Sequence, residues 1–139
     1  MEFSANNHKL LGVLLQDAHL LSDIEIQIAL VDQKAYGMRL GDILVLHGWV
    51  KKQTVDFFTE QWNKLLEGCL DYSLEDCLLA AGLLSDSQIK IIHQEQQLTG
   101  QDFGEIAVYR GWLKQSTLNF FHNHLTQQKF QAMSRRQAA

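Results

Sequence analysis

Apolar residues along this chain come in short groups at helical spacing, broken by glycines and polar turn residues. Val55, Phe58 and Trp62 fall at i, i+3 and i+7, and so do Leu118, Phe121 and Leu125, so each trio forms one stripe along a helix. Short helices are predicted over Leu40–Leu46 and Phe103–Tyr109, with similar stripes. Ser22-Asp23-Ile24-Glu25 has the form of a capping box, in which the serine accepts from a first-turn amide and the glutamate reaches back. Ser85-Asp86-Ser87-Gln88 repeats it. Gly37 and Gly100 stand where a longer helix ends in a left-handed residue, and Gly48 and Gly111 end the short helices in the same way. No segment reads as a strand. The expected fold class is all-α.

The pattern recurs. Residues 11–62 reappear without a gap as residues 74–125, at an offset of 63. Leu21-Ser22-Asp23 returns as Leu84-Ser85-Asp86, Gly37 as Gly100, Gly41 as Gly104, Gly48-Trp49 as Gly111-Trp112, and Phe57-Phe58 as Phe120-Phe121. About 20 of the 52 aligned positions are identical, where chance would leave only a few. A weaker repeat, offset by 29, sets Leu10-Leu11-Gly12 against Arg39-Leu40-Gly41 and Gly82-Leu83-Leu84 against Gly111-Trp112-Leu113. The chain reads as a duplicated helical module, four units of a short helix, a turn and a longer helix, paired into halves at 1–66 and 67–139. Residues 64–73, around Gly68, are the expected connection. The polar tail from Gln131 to Ala139, with Arg135 and Arg136, is expected to fray.

Composition narrows the function. The 139 residues are 46% hydrophobic, enough for a core, and contain no proline. A net charge of -4 argues against a general nucleic-acid binder, whose affinity comes from an excess of Lys and Arg on one face. No apolar run approaches the roughly 20 residues needed to span a bilayer, and Met1-Glu2-Phe3-Ser4-Ala5-Asn6-Asn7 lacks a signal pattern. The expected setting is the cytoplasm, with no membrane partner. Cys69 and Cys77, eight apart, match no common zinc spacing and are expected as buried free thiols. His122 and His124 would lie on different faces of a helix, a poor arrangement for one metal. There is no P-loop and no Gly-x-Ser-x-Gly elbow, and Glu75-Asp76 reads as a solvated pair. Nothing calls for an enzyme, a metal or a cofactor.

The sharpest local feature is Arg39-Leu40-Gly41-Asp42-Ile43-Leu44. One reading is a helix start with glycine for close packing and arginine in water. The other is a ligand contact: glycine lets a ligand approach first-turn amides, the helix dipole favours an anion there, and the arginine can fork onto phosphate or stack on a base. Lys9-Leu10-Leu11-Gly12 offers a similar edge one unit earlier. Trp49 and Trp112 read as core rather than stacking platforms. Phe57-Phe58 and Phe120-Phe121 also read as core, with one ring of each pair free to face a partner, because adjacent helix positions point in different directions.

The run Arg-Leu-Gly-x-x-Leu, followed by a glycine, an apolar turn, a spaced apolar helix and a closing glutamine, resembles the N-terminal module of type II secretion and type IV pilus ATPases, the MshE N-terminal domain. Members carry two such motifs of about 24 residues with a short spacer, and many bind cyclic di-GMP. Here the first motif would run from Leu10 to Gln33, keeping Leu11, Gly12, Leu15 and Gln33 but lacking the leading arginine, with His19 in place of the family glycine. The second would run from Arg39 to Trp62, keeping Arg39, Leu40, Gly41, Leu44 and Gly48, with Trp62 at the closing glutamine. Lys34 to Met38 is the spacer. The later half departs: its motifs open Ser73-Leu74-Glu75 and Asp102-Phe103-Gly104. The resemblance covers nearly the whole chain as architecture and supports a ligand site only in residues 9–62. Small free-standing proteins of this kind occur in cyanobacteria as cyclic di-GMP receptors.

The resemblance thus implies a non-catalytic cyclic di-GMP receptor whose site comprises Lys9, Leu10, Leu11, Gly12, Leu15, Gln33, Arg39, Leu40, Gly41 and Leu44. Arg39 would meet a phosphate or guanine, Lys9 would add charge, Gln33 would bond a guanine edge, and Leu10, Leu11, Leu40 and Leu44 would pack on the bases. One strong cation is thin for a dianion, so a homodimer with the two-fold symmetric nucleotide on its axis is expected. Output would pass to a regulatory protein such as a transcription factor or a pilus-type ATPase. The rival reading is a helical protein–protein adaptor without nucleotide. Direct DNA binding through a helix-turn-helix pair is disfavoured by the acidic balance.

Overall fold

The helices over Asp23–Tyr36 and Asp86–Thr99 begin where their capping residues dictate. Ser22 Oγ accepts from the Glu25 amide at 3.2 Å, while the Ser22 amide donates to Glu25 Oε1 at 2.9 Å. Ser85 and Gln88 make the same two bonds at 3.2 and 2.9 Å. A third box, Ser73 with Asp76, opens a short helix in the later half. These bonds satisfy amides that the first helical turn leaves without partners.

The computed structural model describes residues 11–125; Lys9, Leu10, the start Met1–Asn7 and the tail Gln131–Ala139 lie outside the described residues. Helix α1 covers residues 11–17, followed by α2 (Asp23–Tyr36) and α3 (Leu40–Leu46). Helix α4 runs without a break through Lys52–Asp56, a π-helical turn at Phe57–Gln61, and Trp62–Leu66. Then come α5 (Leu74–Ala80), α6 (Asp86–Thr99), α7 (Phe103–Tyr109) and α8 (115–125). The fold is all-α, with no strand among the described residues. The bounds of α2 and α3 return as those of α6 and α7 at the 63-residue offset, and short helices alternate with long ones.

Helices α1 and α3 pack tightly because they carry glycine at the crossings. A Cβ on Gly12 would stand 2.6 Å from Ile26 Cδ1, and one on Gly41 would stand 2.6 Å from Val55 Cγ1. Among the described residues, His19 is the one non-glycine with positive φ, at 58°. It closes α1 at the position where glycine closes the other short helices, a conformation that costs a residue with a Cβ about 1–2 kcal/mol.

The two halves hold each other by exchanged contacts. Thr54 Oγ1, at the start of α4, donates to Ala81 O at the end of α5 at 2.6 Å. Thr117 Oγ1, at the start of α8, donates to Ala18 O at the end of α1 at 2.7 Å. One turn earlier, Lys51 Nζ donates to Gly82 O and Lys114 Nζ donates to His19 O, both at 3.1 Å. Each of these four contacts has its counterpart at the 63-residue offset. Phe58 and Phe121, at equivalent sequence positions, meet between α4 and α8 with centroids 6.3 Å apart.

This pairing agrees with the core reading of both Phe pairs and leaves neither ring of a pair to face a partner. Phe57, Phe58, Phe120 and Phe121 are all buried. Adjacent helix positions do point apart, but α4 and α8 have neighbours on both sides, their own half on one and the opposite half on the other. Trp62 stacks on Phe120 at 5.3 Å and completes the cluster. Its indole Nε1 is buried without a hydrogen-bond acceptor, so the ring is held by packing alone. Two expectations change. Lys64–Leu66 belong to α4, because fully buried Leu65 anchors its last turn, and the connection is shortened accordingly. Cys77 is buried, but Cys69 is exposed, since it follows left-handed Gly68 (φ 84°) as the chain leaves the helix along the surface.

Gly41→Ala is expected to lower stability by about 1–3 kcal/mol in urea unfolding, because the added methyl must displace a β-branched core residue. Thr117→Val, which removes a buried donor from the Ala18 carbonyl, is expected to cost about 1–2 kcal/mol in the same measurement.

Candidate functional site

The turn between α2 and α3 carries the polar part of the candidate site. Gly37, at φ 67°, ends α2, with its amide donating to Gln33 O at 2.9 Å. Arg39 then takes an extended conformation (φ −69°, ψ 146°) as N-cap of α3 and makes no side-chain capping bond. Its guanidinium is exposed and has no hydrogen bond or ion pair among the described residues. Gln33, six residues earlier in the last turn of α2, is half-buried, and its side-chain amide is likewise uncommitted among the described residues. In the later half Asp102 holds the position of Arg39, and Gln96 Nε2 donates to Gln101 O at 3.4 Å. An uncommitted arginine and an uncommitted amide therefore occur at these two positions in one half and not at their equivalents in the other.

The apolar candidates lie beneath this rim. Leu11, Leu15, Leu40 and Leu44 are between 0 and 4% exposed, because they fill the space where α1, α2 and α3 meet. Gly12 and Gly41 are buried at the crossings described above and face Ile26 and Val55. Lys9 and Leu10 lie outside the described residues. The structure leaves Gln33 half-buried at the end of α2 and Arg39 exposed at the start of α3, and buries the six other described candidates.

Beside the turn is a constellation the sequence reading missed. His47 Nε2 lies 2.7 Å from Asp32 Oδ2, which ties the end of α3 to α2, and the imidazole stacks on Trp49 at 4.2 Å. In the later half Arg110 Nε donates to Glu95 Oε1 at 3.2 Å, with the guanidinium 5.1 Å over the Trp112 ring. A carboxylate, a nitrogen side chain bonded to it and a tryptophan occupy equivalent positions in both halves, although only the tryptophan is the same residue. Both tryptophans are half-buried, with one face given to this stack. The identities Lys51/Lys114, Thr54/Thr117 and Trp49/Trp112 at the repeat offset were the signal that could have located these contacts.

Two clefts open where the halves exchange contacts, each about 260 Å³. One is lined by Leu20, Trp49, Lys51, Thr54, Gly82 and Leu83, the other by His19, Leu20, Ser22, Glu25, Lys114 and Ser116. Neither includes a residue of the candidate site. Among the described residues no cluster of His, Cys, Asp and Glu is arranged to hold a metal ion, and no helix is long and apolar enough to cross a membrane.

The chain is similar to an uncharacterized protein of Picosynechococcus sp., with 40% identity over 121 residues, 86% of this chain. It spans 66% of that relative's length. No known protein family matches the chain, and no solved structure matches it.

The thiols give a direct check on the packing. Burial, with a smaller contribution from Asp76, pushes the Cys77 thiol up from 9.0 to about 12. The folded state then keeps its proton where the unfolded chain loses it, so this group's stabilisation is present below pH 9 and is lost as pH rises toward 12. At pH 8 one thiol per chain, Cys69, is expected to react with a disulfide reagent, and Cys77 only after denaturant is added.

Proposed function

We propose that this chain is a non-catalytic cyclic di-GMP receptor, in which the turn between α2 and α3 engages the nucleotide and the change is relayed by altered binding of a protein partner. The observation that carries the reading is an exposed Arg39 guanidinium with no partner among the described residues, six residues after a Gln33 side-chain amide that is likewise uncommitted among them. An arginine free of carboxylates offers its fork to phosphate or its plane to a purine, and an amide offers both donor and acceptor to a guanine edge. The buried leucines and glycines act indirectly, by holding the α2–α3 turn in place. The contrast with Asp102 and the engaged Gln96 supports assigning ligand contact to the first half alone. With no reacting group in the site, output must come from a partner that distinguishes liganded from free protein. The Picosynechococcus relative provides no activity to transfer.

A second reading, a helical adaptor without nucleotide, draws on the apolar residues exposed along α2, Ile24, Ile28 and Val31.

Calorimetric titration with cyclic di-GMP separates the two. Heat of binding is expected for the wild type at tens of micromolar. Arg39→Ala is expected to weaken it at least about tenfold, the scale of a lost charge-assisted contact, and Asp102→Ala to leave it unchanged. No heat from the wild type leaves the adaptor reading standing. Unchanged affinity in Arg39→Ala removes the site.

A further inference from the structure

Helix α2 is apolar on two opposite faces. Ile26 and Ala29 point into the core. On the far side Ile24, Ile28, Val31 and Ala35 stand at i, i+4, i+7 and i+11, one stripe running the length of the helix. Ile24 is 69% exposed, Ile28 42% and Val31 67%. The equivalent helix α6 shows that the fold does not need this stripe. Its inward residues Ile89 and Ile92 are buried, where their counterparts Ile26 and Ala29 are half-buried and buried, but its outward positions are Ser87, Ile91, Gln94 and Leu98. Two of the four are polar there. An apolar surface in one half, on the scaffold that carries polar residues in the other, points to something that covers it.

We propose that a second copy of this chain covers it, with α2 packed antiparallel against α2 of the partner subunit about a two-fold axis. The stripe is self-complementary in that arrangement. With the axis level with the peptide between Ala29 and Leu30, Ile24 lies opposite Ala35 of the partner subunit and Ile28 opposite Val31 of the partner subunit. Large meets small at the ends, and similar volumes meet at the centre. A parallel pair would set Ile24 against itself and Ala35 against itself, a wedge, and would align the helix dipoles unfavourably. Charge fits as well. Lys34 and Asp23 share one flank of the stripe, so each Lys34 meets Asp23 of the partner subunit. Asp23 also accepts from Gln16 Nε2 through Oδ1, and on the opposite flank Glu25 accepts from the Ser22 amide and Asp32 holds His47. A two-fold pairing of like faces closes at two and forms no filament. Two helices of this length bury on the order of 1,000 Å² together, the low end of specific interfaces, so the dimer is expected to dissociate on the order of tens of micromolar.

The proposal is independent of the nucleotide reading, and its test contains no nucleotide. Sedimentation of the full chain between about 5 and 300 µM is expected to show monomer passing to dimer. Ile24→Glu/Val31→Glu, at positions already in water, is expected to weaken association at least about tenfold with an unchanged helical spectrum and melting curve. Register is read by oxidation in a Cys69→Ser background. Ile24→Cys/Ala35→Cys is expected to cross-link, and Ala35→Cys alone is not, since its two copies stand about 16 Å apart at 1.5 Å rise per residue. A chain monomeric through 300 µM, a dimer indifferent to the paired glutamates, or cross-linking by Ala35→Cys alone would each overturn the proposal.

Discussion

The arrangement of this molecule depends on one reciprocal interaction: the start of each half's last helix closes the end of the other half's first helix. A helix of seven residues cannot satisfy its own terminal carbonyls, and α1 and α5 each leave such groups at the boundary between the halves. Thr117 and Lys114 take the carbonyls of Ala18 and His19, and Thr54 and Lys51 take those of Ala81 and Gly82. A lysine at a helix C-terminus is favoured by the dipole as well as by the hydrogen bond. The aromatic cluster of Phe57, Phe58, Trp62, Phe120 and Phe121 lies where these exchanged contacts bring α4 and α8 side by side. Remove the exchange and the short helices lose their caps while the long ones lose half their neighbours.

Local signals in the sequence sufficed for the elements. The capping boxes at Ser22 and Ser85, the left-handed Gly37 and Gly100, and the helices Leu40–Leu46 and Phe103–Tyr109 follow from hydrogen-bonding and backbone rules that act within a few residues. Contacts between distant segments were harder to read. Phe57 and Phe58 read as core from the sequence, but what covers the second ring, a helix on the far side of α4, could not be read there. The π-helical turn under them has no short-range signature, and the end of α4 depends on where Leu65 finds its pocket. At the candidate site, the turn and the surface position of Arg39 were legible from Gly37 and the helix start. The depth of Leu11, Leu40 and Leu44 was not, because spacing shows which face a leucine occupies and not how thickly that face is covered.

The halves share a scaffold and differ in what they display. Arg39 answers to Asp102, the Asp32–His47 pair to Glu95–Arg110, and the apolar outer stripe of α2 to a half-polar row on α6. The inward positions drift much less, since each must fit a neighbour that is itself constrained. Packing density explains the contrast: a buried methyl is opposed by atoms on every side, while an exposed side chain answers only to water and to whatever docks there.

Two separate copies of such a module would find each other only as their concentration allowed, and their surfaces would have to be identical. The connection beyond Leu66 changes both terms. A short tether holds the mate at an effective concentration in the millimolar range whatever the amount of protein present. The exchanged caps therefore persist at dilutions that would separate free halves, and each half can carry a charge or an apolar row that the other lacks. The seven-residue link from Glu67 to Ser73 is in this sense what permits the protein to be symmetric inside and asymmetric outside.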